Sequence, residues 1–502
     1  MVRGWAVSVA SVIERVESSA TPAADPRRWK ALAVIAVAQL MVVLDATIVN
    51  IALPQAQHSL GITDANRQWV VTAYTLTFGG LLLLGGRIAD YWGRKRTFLL
   101  GIIGFALASG LGGLATNGVT LFAARALQGA FGALLAPASL ALLTILFTDA
   151  KERAKAFGVY GAIAGGGAAV GLLLGGVLTE YANWRWCLLV NIPIALVAGA
   201  FGLRLVGESR AAGNTRYDIP GATLVTLGLA GLVYGFTHAA DPTKGWGDRV
   251  TIGFLVGSAA LLVAFVVVEL RSSHPLLPLR IVLDRTRGGA YAASLLTGAG
   301  LIGATLFMTF YFQAVLRYTP VQAGLATLPI TAGIFLAFPF ATTLLTRLGA
   351  KPLMATGSFI AAAGLLLFTR IGIDSSFSTT ALPAELVMGL GLGLIFVPLG
   401  NVALSGVDPH DAGAAGAVVS ASQQVGGSLG TALLSTLSVS AFTSYLTSHA
   451  PGPLTQLEGM VHSYRVGFAW ASLFLFVAGI IVLALVKGGK IAASDSTPVH
   501  FG

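Results

Sequence analysis

Gly86-Arg-Ile-Ala-Asp90-Tyr-Trp-Gly93-Arg94-Lys95-Arg96 lies between two long apolar runs, Trp69 to about Ile88 and Thr97 to about Leu114. Glycines, one acid and a basic cluster share a turn too short to be a domain. A membrane-spanning helix needs about 20 mostly apolar residues, and the two flanking runs are of that order. A charged hairpin between two such helices is the turn expected of a multispanning membrane protein.

The rest of the chain carries the same signature. Of 502 residues, 55% are hydrophobic and only 10% are charged, against about 25% in an ordinary soluble domain. Mean hydropathy is +0.80. A soluble fold of this length cannot hide so much apolar surface, so lipid is the expected solvent. The formal charge of +10 would suit a nucleic-acid partner, but the charges sit in short segments between apolar runs and form no continuous basic face. The single Cys187 excludes a disulfide framework. The first 28 residues mix acids and bases without a cleavage-type apolar core, and are expected to be a cytoplasmic tail.

Fourteen apolar spans follow, from 30–53 to 464–486, with the fifth at 156–179 and the sixth at 184–205. An even number places both termini on one side. Of the 31 Lys and Arg residues, 23 fall on the terminus side of these spans, 7 on the other, and one, Arg125, inside a span. That excess predicts cytoplasmic termini in the cell membrane. Leu345-Thr346-Arg347-Leu348-Gly349-Ala350-Lys351, between spans 10 and 11, parallels Ala89 to Lys95, with Thr346 in place of Asp90. The echo predicts two six-helix halves, 30–205 and 288–486. An inserted pair at 206–287 separates them, and tails at 1–29 and 487–502 flank them. Binding near the midplane belongs to that architecture.

Asp45 lies well inside the first span. A carboxylate at membrane depth costs about 2.5–3.5 kcal/mol on insertion scales and marks function by default. A group that gains and loses a proton there would suit a proton carrier; a structural acid serving Thr47 or Asn50 is the alternative. Arg125, with Gln128 and Gly129 one turn on, is the second intramembrane charge. It keeps its proton, so it either biases a nearby acid or holds carbonyls of a neighbouring helix. Gly167, Gly171 and Gly175 recur every four residues in the fifth span, a face that lets helices approach closely in lipid. Gly298-Ala-Gly300-Leu-Ile-Gly303 fits a dinucleotide fingerprint only by letter, since no strand precedes it. No phosphate-binding loop and no metal-ligand spacing occurs, so ATP-driven pumping is excluded.

With these residues in place, the chain resembles the fourteen-span drug:proton antiporters of the major facilitator superfamily. Gly86, Asp90, Gly93, Arg94, Lys95 and Arg96 match the superfamily's pattern for the turn between helices two and three. Leu44 to Pro54 is similar to the branch's first-helix motif, and Arg125, Gln128 and Gly129 to its fourth-helix motif. Asn183-Trp-Arg-Trp186-Cys-Leu-Leu-Val-Asn191-Ile-Pro193 resembles a sixth-helix signature. Gly167, Gly171, Gly175 and Gly176 match the fifth-helix antiporter motif, although Leu172 stands where that motif has proline.

The resemblance implies an all-α membrane fold and a secondary transporter, not an enzyme, which uses the proton gradient and needs no cofactor or metal. Asp45 and Arg125 would take part in proton coupling, and Asp90 and Arg94 would latch the cytoplasmic side of the outward-facing state. The expected activity is export of hydrophobic drugs, antibiotics or dyes by a monomer; export of a lipid or metabolite and import of a nutrient are the rival readings. Asn50, Gln128, Glu385, Gln423 and Gln424 are the expected polar lining of the substrate cavity. So few deep acids suit a neutral or monovalent substrate better than a dication.

Overall fold

A computed structural model describes residues 26–488, apart from 65, 148, 211–217, 240–243, 273–274, 278, 406 and 408–411. The expected tails 1–29 and 487–502 therefore lie almost wholly outside the described residues. In lipid every backbone polar group must be satisfied within the segment, so these apolar runs can only be helices. The first half comprises α1 (Arg28–Leu60), α2 (Trp69–Trp92), α3 (Arg94–Gly113), α4 (Gly118–Leu146), α5 (Ala150–Tyr181) and α6 (Trp186–Leu205). The inserted pair is α7 (Ile219–Ala239) and α8 (Arg249–Arg271). The second half comprises α9 (Arg285–Val315), α10 (Pro320–Leu348), α11 (Ala350–Phe368), α12 (Phe377–Ala403), α13 (Ala415–Ser448) and α14 (Thr455–Leu485). Thirteen of these are long and apolar enough to cross a membrane. The remaining expected span, 156–179, lies within α5, whose described apolar stretch is the shorter Gly166–Tyr181.

The helices overrun the expected spans. α1 continues seven residues past 53 because Pro54 stays inside it, a proline position that membrane helices tolerate. Pro137 likewise sits within α4. Its ring leaves the Ala133 carbonyl without its helical donor, and that carbonyl faces Gly85 of α2 so closely that a Cβ there would collide with it. Gly86, the glycine of the turn motif, has only ordinary contact with Pro137. The tight helix crossing therefore falls one residue before the motif position.

Two of the turns share one backbone geometry. Gly93 (φ 126°) joins α2 to α3, and Gly349 (φ 83°) joins α10 to α11, each in a backbone region that side chains disfavour. At Gly93 a Cβ would also strike the Glu208 carboxylate at 2.6 Å.

One apolar core is shared by both halves at the face opposite the termini. It joins Leu44 to Ile62 of α1 and its loop with Leu172, Phe307, Tyr311, Phe312, Phe368 and Leu392. Toward the terminus face the core divides into a cluster around Val34, Phe98 and Leu142 of the first half, touched from the second half by Ala417 and Ala421 of α13, and another around Leu353, Met354 and Val482 of the second. The inserted pair packs on α2 and α13 together, through Leu76, Leu229, Val233 and Ala432. Gln68 Nε2 donates to Thr237 Oγ1 (3.3 Å) and Thr436 Oγ1 to the Phe236 carbonyl (2.8 Å), so α7 touches both halves.

α5 runs without a break through Leu172. Its glycine face lies on α1. A Cβ at Gly171 would collide with Thr47 Oγ1, one at Gly175 would meet the Ile48 carbonyl at 2.9 Å, and one at Gly167 would meet Leu40 Cδ1 at 3.1 Å. Gly176 points the other way, onto Pro320 and Val321 of α10 at 2.8 Å. Gly171→Val is expected to abolish transport and to lower the thermal unfolding midpoint of purified protein. Gly166→Val, where no atom lies within 4 Å, should leave both unchanged.

Candidate functional site

The two intramembrane charges meet. Arg125 Nη1 of α4 donates to Asp45 Oδ2 of α1 at 2.6 Å, with the two side chains 1% and 0% exposed. Asp45 Oδ1 accepts two further bonds, from Gln128 Nε2 and from Asn191 Nδ2 of α6, both at 2.8 Å. Ser109 Oγ of α3 accepts from the same two amides, at 2.7 and 3.2 Å. Arg125 also donates through Nε to the Val70 carbonyl of α2 (2.9 Å) and through Nη1 to Gln128 Oε1 (2.9 Å), and its guanidinium stacks 4.4 Å from the Tyr74 ring centre. Five helices of the first half therefore converge on one ion pair.

Local sequence explains each position. Gln128 stands three residues after Arg125 and so shares its helix face. Asn191 sits where α6 breaks at Val190. Pro193 supplies no N–H for the Leu189 carbonyl and its ring crowds it, so the break and the asparagine belong together. Both readings of Arg125 hold, since it pairs with an acid and also binds a carbonyl of the neighbouring helix. Thr47 instead back-bonds to the Val43 and Leu44 carbonyls, each at 3.1 Å, and is not the partner of Asp45.

A carboxylate and a guanidinium taken out of water cost several kcal/mol each, offset only when the geometry is good and the remaining bonds are filled. Here three side-chain donors reach the carboxylate. Two buried atoms of the cluster stay without partners: Asn191 Oδ1 and Tyr74 Oη. Asn50, five residues past Asp45, also has a buried, unpartnered Oδ1. Ser109, Asn191 and Tyr74 were absent from the sequence-based site. A lone small polar residue in a span is common, and only helix contacts reveal its role.

The turn motif forms a second charged group. Arg94 donates to Asp90 Oδ1 through Nε (3.1 Å) and Nη2 (2.8 Å). Glu208, beyond the end of α6, accepts from the Lys95 backbone N–H at 3.2 Å and pairs with Arg96 at 3.6 Å. Lys95 Nζ donates to the Leu203 carbonyl at 2.8 Å. The motif's described contacts thus reach the segment that follows the first half, through Glu208 and through Arg87 Nη2, which donates to the Pro275 carbonyl at 3.4 Å.

The other expected cavity residues lie apart. Gln424 of α13 packs its Cβ against Gly79 of α2, and the Gln423 carbonyl abuts Gly298 of α9. Glu385 does not line an open wall: it is fully buried near the start of α12, and neither carboxyl oxygen has a partner. A hollow of about 790 Å³ lies elsewhere, between α7 and α8 beside Trp69, lined by Tyr234, Phe254, Gly257 and Leu261. It contains no acid and does not reach the ion pair.

The model of the Major Facilitator Superfamily matches residues 35–431. The chain belongs to this superfamily. It is 50% identical to the puromycin resistance protein of Streptomyces alboniger over 485 residues, 96% of each chain. It is 37% identical to the cephamycin export protein of Amycolatopsis lactamdurans, over 93% of each chain. The lincomycin resistance protein of Streptomyces lincolnensis is 33% identical, with 97% of this chain and 98% of that one covered. Among solved structures, tetrameric PepTSo2 superposes with a TM-score of 0.59 at 17% identity, covering 91% of this chain and 98% of that chain, a likeness of fold alone. A membership that spans both halves makes this superfamily chain a multi-pass membrane transporter.

Removing one partner of a buried ion pair costs about 3–5 kcal/mol, because the other charge is left uncompensated. Arg125→Met is therefore expected to lower the unfolding midpoint in detergent sharply. Asp45→Asn combined with Arg125→Met should recover most of that loss, which a double-mutant comparison of unfolding midpoints will show.

Proposed function

We propose that this superfamily member is a proton-coupled antiporter that exports hydrophobic small molecules of the antibiotic class from the cytoplasm across the cell membrane. The observation that carries the reading is end-to-end identity with proteins named for resistance to, or export of, puromycin, cephamycin and lincomycin. Both termini would be cytoplasmic, in line with the excess of Lys and Arg on their side. The shared core at the opposite face, with separate cores toward the termini, fits the state open to the cytoplasm. The protein would work as a monomer, without cofactor, on the energy of the proton gradient.

The coupling residues would be Asp45 and Arg125. A proton that reaches Asp45 turns the carboxylate into a neutral acid and ends its attraction for the guanidinium. Arg125 then keeps Gln128 and the Val70 carbonyl as partners. The change alters what holds α1 to α4 and α6, and so gives the two access states a differential stability, which is all a ligand or proton needs in order to shift them. The Gly167-Gly171-Gly175 face lets α1 move against α5 at close range. Asn50 Oδ1, Gln423 and Gln424 would offer a neutral polar contact to a substrate that is mostly apolar.

In inverted vesicles supplied from outside with a panel of antibiotics and dyes that includes puromycin, uptake should follow an imposed proton gradient. Asp45→Asn should reduce gradient-driven transport to the level of empty vesicles at normal protein levels. Full activity of that variant, or uptake that ignores the gradient, would remove Asp45 from the mechanism.

A further inference from the structure

A second carboxyl is buried in the membrane and belongs to no ion pair. Glu385 is 0% exposed, and neither Oε1 nor Oε2 has a hydrogen-bond partner among the described residues. It lies eight residues inside the start of α12 at Phe377, about 12 Å along a helix at 1.5 Å per residue. Ala381, Met388, Leu392 and Ile395 share its helix face, and each is at most 1% exposed. These four belong to the core that both halves share at the far face.

No charge on the elements packed around it compensates Glu385. On α10 and α11, Arg347 and Lys351 stand at the opposite end, beside the Gly349 turn, and Arg370 and Asp374, between α11 and α12 at the same end as Glu385, are exposed. On α9, the Tyr311 hydroxyl donates to the Gly372 carbonyl at 2.9 Å. On α14, Arg465 Nε donates to the Ile371 carbonyl at 2.7 Å, while α13 carries no charged residue. A carboxylate held at this depth without any donor would carry the full penalty of burying a charge. The group buried here is therefore the neutral acid.

Its setting is mechanical. The two π-helical turns found among the described residues, Tyr311–Val315 at the end of α9 and Phe377–Ala381 at the start of α12, meet through Phe312 and Phe377, whose rings lie 6.1 Å apart and edge to face. Single π turns are uncommon and cluster at functional sites. The first of them is fastened to the other half, because Gln313 Nε2 donates to the Ile51 carbonyl of α1 at 2.9 Å. Glu385 sits one turn below the second. Parting α9 from α1 at the far face would loosen the two π turns that cover this carboxyl.

We propose that Glu385 is a proton-binding site that locks the far-face seal: its carboxyl holds a proton while the seal is closed and gives that proton to far-side water when the seal opens. This rests on the alternating-access reading. The O–H bond breaks, water takes the proton, and the carboxylate must be reprotonated from the same solution before the seal can close. The proton gates and is not carried across, so the number of protons exchanged per substrate is set at Asp45, not here. Protonation is required in the sealed state, so low far-side pH favours sealing and rising pH favours opening.

The test measures the separation of the far ends of the two halves in purified protein. Spin labels at Tyr181→Cys and Leu454→Cys, both exposed, are placed in a Cys187→Ser background. Asp45→Asn is included to remove the other proton site. The ratio of open to sealed protein is expected to rise about tenfold per pH unit once the exposed carboxyl titrates. Glu385→Gln, an isostere of the neutral acid, should abolish that dependence and leave the sealed state populated at every pH. If Glu385→Gln fails to fold, Glu385→Met should give the same flat profile. The infrared band of a protonated carboxylic acid in the sealed Asp45→Asn protein should disappear on opening. A flat profile in Asp45→Asn alone, or an unchanged slope after Glu385→Gln, overturns the proposal. The number of protons released when substrate binds should be the same in Glu385→Gln as in the parent protein; a loss of one proton would make Glu385 a carrier and also overturns the gating role. A failure of the Asp45 coupling would instead show as proton release on substrate binding that persists in Asp45→Asn.

Discussion

A guanidinium and a carboxylate buried together in lipid are the constraint around which the first half is arranged. Each would be prohibitive alone at that depth, and the two are tolerable only as a pair with its remaining bonds filled. Filling them requires Gln128 from the same helix, Asn191 from a broken α6, Ser109 from α3 and a backbone carbonyl from α2. The break at Pro193, the glycine contacts of α5 on α1 and the close crossing of Gly85 on α4 can each be understood as fitting five helices around one charge pair. A proton on Asp45, as the proposed mechanism requires, would give such a cluster two discrete chemical states, and packed helices would respond to that as a switch, not as a gradual deformation.

The two halves differ in how they treat charge. The first compensates its acid completely. The second buries Glu385 in an apolar core without any partner, and its copy of the charged turn has Thr346 where the first has Asp90. The two turns share their geometry, since Gly93 and Gly349 both have positive φ, while the acid is present in the first alone. The inserted α7 and α8 add no acid to the interior seam. They bridge α2 and α13 by apolar contact and two hydrogen bonds, which ties the halves along one side, while α5 meets α10 on the other.

Much of this was legible in the sequence because lipid simplifies the code. Apolar runs must be helices, charges inside them are rare, and a turn that joins them must be polar. Asp45 and Arg125 stood out for that reason, and Gln128 followed from its spacing. Asn191 was visible only as part of a motif, since nothing in a linear chain says that the start of α6 faces the middle of α1. Glu208 could not be foreseen as the partner of Lys95 and Arg96, because loop acids are ordinary. α1 runs past the expected end at 53 because Pro54 stays inside it, which a membrane helix tolerates. Glu385 was legible as a deep acid but was read as cavity lining; whether an acid faces a lumen or a core depends on three-dimensional packing.

The most direct test of the account is the count of protons released when substrate binds. Purified protein in weakly buffered detergent solution, titrated with puromycin in the presence of a pH-sensitive dye, should release protons on binding, and Asp45→Asn should bind without releasing them. Equal release from the parent protein and from Asp45→Asn would contradict the assignment of proton coupling to the buried ion pair.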